Sequence, residues 1–475
     1  MAMHVTQEEF DRERALFEAE RKRVPELFVR APMVDDAETL RSIGIEDIAA
    51  GRPSAYLRLM PQDFIVEEID REGAVYPVKP PSGAPPIDGE GSTYFADLIK
   101  VGISTLEAKS QLAHALGVDE KNIGYAGIKD RLALTSQQIS IRGISDPQRL
   151  LSLHEDNFFL NDIRRGKGVV ANGELKGNRF TITLRLAETL TDAQWETLEQ
   201  KVAVAKMDGF WNFFYLQRFG TPRLISHMLG RLLLLGQYEE TVRMFLTHIG
   251  ARELPYFTDL RKSIAGKWGD WKAIREIVDR FPYHFSIERA FVSHLADHPG
   301  DFLGALREVP DQVRLWFYAY DSFLFNKKLS TLIRSGEVPL SLPFLTSFNP
   351  LDWKPYEEYL KEDGIALPAR SWRDFPFVRV ESRQCATIQD IEIHGTVFDR
   401  QIAVISFSLP KGSYATSFLM DLFSLSSGLP ALPGISNEAV DAKMALGEGT
   451  LDPILERFKT VLDQRRADIE GGGEE

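Results

Sequence analysis

The spacing of apolar residues changes period along the chain and divides it into segments. From Thr6 to Arg23 charged residues dominate, and Phe10, Leu16 and Phe17 are too sparse for a full apolar stripe, which predicts a partly exposed helix. Tyr56 to Ile69 reads as extended: Phe64, Val66 and Glu68 fall on one face of a strand and Ile65, Glu67 and Ile69 on the other. Lys79 to Gly91 is a loop, because its prolines remove donors and its glycines supply positive φ. A strand over Thr93 to Lys100 leads to Ser104-x-x-Glu107, a capping box that starts a helix through Leu106, Leu112 and Leu116, with Gly117 to end it. Gln137 to Arg142 alternates as a further strand, and Asn157 to Arg185 is basic and strand-like. Thr191-x-x-Gln194 opens another helix, which runs to Gly209.

Beyond Thr221 the period becomes helical. Ile225 to Leu235, Tyr238 to Leu246, Ile274 to Phe281 and the aromatic-rich stretch Trp316 to Leu332 predict helices, and Pro339 to Arg373 reads as loops. Ala403 to Ser408 returns to strand, and a helix is expected over Phe418 to Leu425. The end from Asp468 is acidic and glycine-rich and is expected to be disordered.

A length of 475 residues exceeds one compact core and implies two domains or three. With 44% hydrophobic and 26% charged residues the composition is that of a globular protein. The longest unbroken apolar run, Leu315 to Tyr320, falls far short of the roughly 20 residues a bilayer requires. Glu8, Glu9, Asp11 and Arg12 occupy the place of a secretory apolar core, so a cytoplasmic protein is expected. The single cysteine, Cys385, excludes an internal disulfide, and with only nine histidines a metal site is not expected. Phosphate-loop, dinucleotide, zinc-protease and serine-hydrolase motifs are absent. A formal charge of −13 argues against a nucleic-acid partner, but between Lys100 and Arg231 there are 18 Lys and Arg against 14 Asp and Glu. That segment carries +4 and the remainder −17, so basic charge is enriched where the candidate chemistry lies.

That chemistry centres on Tyr125-Ala126-Gly127-Ile128-Lys129-Asp130-Arg131, where a turn of small residues sets one carboxylate, Asp130, between two cations. Flanking cations favour an ionised carboxylate that can serve as nucleophile or base, although a lone Lys-Asp-Arg is most often a solvated turn. A second concentration, Phe210-Trp211-Asn212-Phe213-Phe214-Tyr215-Leu216-Gln217-Arg218-Phe219-Gly220, sets rings beside an amide, the chemistry that stacks and reads an extruded base. Any one of these rings taken singly would be core. Arg164-Arg165-Gly166-Lys167 and Lys176 could meet phosphates, or form a solvated hairpin.

The pieces together resemble the TruD family of RNA pseudouridine synthases. Ala126, Gly127, Lys129 and Asp130 fill its Ala-Gly-x-Lys-Asp motif, and Ala133, Thr135 and Gln137 fill the Ala-x-Thr and the Gln two positions beyond. Pro61, Asp63, Phe64, Val66 and Glu68 fill Pro-x-Asp-Phe-x-Val-x-Glu, with Arg58 where the family commonly has Lys. Asn212, Phe214, Gln217, Arg218, Phe219 and Gly220 match a third segment, in which Tyr215 stands where Gly is usual and Trp211 where Pro is usual. Leu409-Pro410-Lys411-Gly412-Ser413-Tyr414-Ala415-Thr416 matches the last.

The resemblance implies an α+β fold: a pseudouridine synthase core with a mixed, mainly antiparallel sheet flanked by helices, and a helix-rich TRUD domain inserted in it. It implies an N-terminal extension over 1–50, a discontinuous catalytic domain over 51–221 and 399–475, and the insertion over 222–398. Asp130 is then the catalytic residue. Phe64, Asn212 and Tyr414 hold the target base, Phe214 and Gln217 support the pocket, and Lys129, Arg131 and Arg58 keep Asp130 ionised or bind phosphate. A monomer acting on RNA without cofactor, metal or membrane is expected, with tRNA uridine 13 the bacterial family's target. The rival readings are a non-catalytic RNA-binding protein of the same fold and a synthase acting on another RNA.

Overall fold

The computed structural model describes residues 6–29, 32–46, 51–83, 87–399 and 401–470. The last residues of the acidic tail, and 84–86 of the proline-rich loop, lie outside them; Asp468 itself belongs to a helix, Lys459–Glu470. The described chain forms two compact units, one drawn from 51–210 and 389–470, the other from the described residues of 6–46 and from 211–388.

The first unit is built on a mixed, mainly antiparallel sheet. Its middle strand, Gly177–Leu186, pairs along one edge with Ile402–Pro410 and along the other with Ser54–Leu57 and then Phe64–Ile69. From Phe64–Ile69 the sheet continues through Leu134–Arg142 and Thr93–Val101 to Phe158–Gly166. Phe64–Ile69 pairs in parallel with Leu134–Arg142, and Ser54–Leu57 in parallel with Ser424–Ser427. Phe64–Ile69 is buried on both faces. Ile65 joins Ile99, Leu134, Val404 and Phe458 in one core. On the opposite face Phe64, Phe180 and Phe407 run in a row across three strands, their ring centroids 6.0 and 5.5 Å apart.

Local chemistry sets the helix ends. Ser104 and Thr191 each form a complete capping box, and Gly117 closes Thr105–Leu116 at φ 68, which only glycine adopts without penalty. The helix expected over Phe418 to Leu425 occupies Ala415–Leu422 instead, and Ser424–Ser427 is a strand. The free backbone of Ser54–Leu57 offers ladder partners there, and pairing overrides helical spacing.

The second unit is helical. A 26-residue helix, Pro310–Ser335, starts with Pro at its first turn and ends on Gly336 at φ 75. It packs against Ser226–Leu234 at Gly230, where a Cβ would lie 2.1 Å from the Trp316 carbonyl oxygen, so the helices meet closely only because that side chain is missing. The aromatic core includes Phe245, Phe257, Phe291 and Trp316. The N-terminal helix, Gln7–Arg23, capped by Thr6 and Glu9, belongs to this unit, and its Glu13 accepts from the Tyr283 and His284 amides at 2.5 and 3.1 Å. Trp271–Val278 starts earlier than the expected 274–281 because Asp270 caps it through the Ala273 amide. Helices over Pro255–Ala265, Ser286–Asp297 and Phe302–Arg307 had no counterpart in the sequence pattern.

Candidate active site

The Asp130 turn lies between strand Ile123–Tyr125 and strand Leu134–Arg142 and is held by side chains beneath it. Gln137 Nε2 donates to the Gly127 carbonyl at 2.8 Å, and Thr105 Oγ1 accepts from the Lys129 amide at 2.8 Å while donating to Gln137 Oε1 at 2.8 Å. Lys100, fully buried, donates to the Asp130 carbonyl at 2.8 Å and to the Ile103 carbonyl at 2.7 Å.

Lys129 points into the protein. Its ammonium meets Glu68 at 2.8 Å and donates to Asn178 Oδ1 at 2.7 Å, and these two residues face each other across adjacent strands. Burial lifts the Glu68 carboxyl above the ordinary range, and the Lys129 charge opposes that rise. Lys129 is turned inward, whereas its neighbours are open to solvent: Ile128 is 61% exposed, and the Asp130 side chain is 50% exposed.

The cation on Asp130 is Arg58, whose Nη2 donates to the carboxylate at 2.6 Å. Its guanidinium lies 3.8 Å over the Phe64 ring, and its backbone is held at φ 63, a left-handed conformation that a non-glycine residue rarely adopts. Such strain clusters at functional sites, where the surroundings fix an otherwise unfavourable geometry. Lys129 and Arg131, expected to keep Asp130 ionised or to bind phosphate, make their ion pairs elsewhere: Lys129 with Glu68, and Arg131 with Glu107 at 3.2 Å. Phe64, expected to contact a base, is only 2% exposed and lies beneath Arg58.

Of the other expected residues, Tyr414 flanks the start of Ala415–Leu422 in the same unit and is half-buried. Asn212, Phe214 and Gln217 belong to the helical unit. Asn212 donates to the Ala386 carbonyl at 2.9 Å, and Gln217 is exposed. Phe214 is buried, its backbone bracketed by Asn326, which accepts from its amide at 2.9 Å and donates to its carbonyl at 2.8 Å. Tyr215, replacing the family's usual Gly, sits at φ −96, which any residue adopts, and its hydroxyl donates to Asp35 at 3.0 Å. Among the described residues no cluster of His, Cys, Asp or Glu could hold a metal, and no helix is long and apolar enough to cross a membrane.

Sequence reasoning did not nominate Lys100, Thr105 or Glu68 as site residues. The signal for two of them is a charge at a strand position whose neighbours are buried: Lys100 between Ile99 and Val101, and Glu68 on the face of Phe64 and Val66. Burial pushes the Lys100 ammonium down to about 7, with the Asp130 charge partly opposing. The unfolded chain, with lysine near its ordinary ~10.5, then holds the extra proton between about pH 7 and 10.5. Stability from this residue accordingly rises with pH across that window. Urea unfolding at about pH 7 and 9 should show the wild type gaining on Lys100→Met; equal changes in both proteins would rule Lys100 out as the source.

The family model for tRNA pseudouridine synthase D (TruD) matches residues 49–342. A Methanopyrus kandleri protein named as a probable tRNA pseudouridine synthase D is 31% identical over 358 residues, covering 71% of this chain and 87% of that one. One of two such proteins from Methanocaldococcus jannaschii is 34% identical over 343 residues, 71% of this chain and 72% of its own. A solved structure from Methanosarcina mazei bearing the TruD name shares the fold with a TM-score of 0.64 at 24% identity, over 81% of this chain and 97% of that one. A matched segment of this length, carrying an outward carboxylate on a buried scaffold of its own motif residues, has one reading: the chain belongs to the TruD family of tRNA pseudouridine synthases.

Proposed function

We propose that the protein converts a specific uridine of tRNA to pseudouridine, with uridine 13 as the target and Asp130 as the covalent agent. The observation that carries this reading is Asp130 itself, half-exposed on a rigid buried scaffold and paired with Arg58. The reaction breaks the bond between N1 and C1′, turns the uracil and joins C1′ to C5; N1 gains a proton and C5 releases one. No electrons are exchanged with another molecule, so a positioned carboxylate suffices. Arg58 pairs with that carboxylate and lies over the Phe64 ring, bringing a planar cation and an aromatic ring together beside Asp130. The family resemblance assigns base holding to Phe64, Asn212 and Tyr414, an amide for the uracil edge and rings for its face, with Phe214 and Gln217 in support.

The release of the C5 proton gives a direct assay. Full-length protein incubated with a tRNA transcript carrying 5-tritiated uridine should release tritium, and pseudouridine mapping should place the product at position 13. Tritium release with product at another position would retain the isomerase and replace its target. An absence of release from every cellular RNA would leave a binding protein.

A further inference from the structure

The strands Gly177–Leu186 and Ile402–Pro410 pair as far as Gly177 opposite Pro410. One residue further out the Lys411 amide donates to the Lys176 carbonyl at 2.9 Å, so two lysines stand opposite each other across the ladder. The backbones close tightly there: a Cβ on Gly177 would lie 2.1 Å from the Leu409 carbonyl oxygen. Opposed residues of an antiparallel pair share a face, and like charges in that position repel. Both lysines are exposed, and among the described residues neither ammonium has a carboxylate partner. Among the described residues Lys411 Nζ donates to the Gly173 carbonyl, at 3.2 Å, and the nearby carboxylate of Glu174 is taken by Arg71 at 3.1 Å and by the Ala171 amide at 3.0 Å.

This platform is fixed to the catalytic machinery by its backbone. The Gly173 amide donates to the Ala126 carbonyl at 2.7 Å, at the head of the Asp130 turn, and the Lys176 amide donates to the Ile69 carbonyl at 2.9 Å, at the end of the strand that carries Phe64 and Glu68. Arg165, in the basic run nominated by sequence, is by contrast partly committed, donating to the Tyr94 hydroxyl at 3.1 Å.

We infer that Lys176 and Lys411 form a phosphate-binding pair that grips the RNA backbone beside the target nucleotide and sets where the strand enters the Asp130 turn. Two repelling cations on a rigid ladder are relieved by a shared anion, and a phosphodiester is the anion an RNA-modifying enzyme meets there. Ammonium groups suit the task as point charges that accept any approach of a phosphate oxygen. The inference rests on the proposed action on RNA.

The test is the salt dependence of binding. Affinity for an unmodified tRNA transcript is measured between about 50 and 200 mM salt with full-length Asp130→Asn protein, alone and combined with Lys176→Gln, Lys411→Gln or both. Each substitution is expected to lower the slope of log affinity against log salt by about 0.7–0.9, shrinking the loss across that range roughly threefold. In the catalytically intact background KM should rise more than kcat falls, and the melting temperature should hold or increase as the repulsion is removed. A double variant whose slope stays within about 0.3 of the parent overturns the inference, as does a lowered melting temperature with an unchanged slope. Tritium release by the wild type separates the two readings: release with a flat slope removes only the lysine pair, whereas no release from any RNA removes the proposed function.

Discussion

Asp130→Asn is expected to abolish turnover while leaving the fold and RNA binding intact. The amide keeps the shape of the carboxylate on a turn fixed from below by Lys100, Thr105, Gln137 and Lys129, so little should move. The charge and the nucleophilic oxygen are what disappear. Losing a covalent nucleophile that acts as a unit with its surroundings typically costs at least ~10⁴ in kcat. Tritium release should fall by that order, with tRNA affinity changed by no more than a few-fold. A variant retaining a tenth of wild-type kcat would show that Asp130 is not the covalent agent.

The second large effect is on stability. Lys129→Met leaves Glu68, with a side chain only 2% exposed, without its counter-charge in a packed interior. Breaking a buried pair from one side costs about 3–5 kcal/mol, on the order of 10 °C in melting temperature for a unit of this size. Burial already raises the Glu68 carboxyl, and without Lys129 it rises further and takes up a proton on folding. The folded state then holds more protons than the unfolded one, so the deficit deepens as pH increases. Combining Lys129→Met with Glu68→Gln should recover part of the loss, because no charge is then left unpaired. Thermal and urea unfolding of the four proteins measures the coupling; simple additivity would show that the two residues do not depend on each other.

How far these roles were legible in the sequence depended on the range of the interaction. The capping boxes at Ser104 and Thr191 lie within four residues and appear where the pattern puts them. So does the strand from Phe64 to Ile69, whose alternation is local. The partner of Asp130 was legible only through the family resemblance, which named Arg58 beside Lys129 and Arg131; local sequence points to the two adjacent cations, but Arg58, 72 residues away, makes the contact. Lys129 is diverted to the buried carboxylate of Glu68, while the Asp130 side chain beside it stays half-exposed. The same limit applies to Phe214, whose embedding depends on Asn326, 112 residues further on. Tyr215 raised a question of backbone geometry that only a dihedral angle answers.

The order of strands in the catalytic sheet also bears on how the protein is made. Gly177–Leu186 needs Ile402–Pro410 along its full length, and Thr181 and Ser406, which meet across that ladder, stand 225 positions apart in the chain. During synthesis at about 5–20 residues per second, that edge emerges from the ribosome well before its partner exists and stays open for roughly ten seconds or more. The helical segment, encoded in between, is complete before the sheet can close. Translation that stops before the Ile402 strand therefore yields chains with an unfinished, adhesive β-edge, and nascent chains released at that point should be the aggregation-prone species.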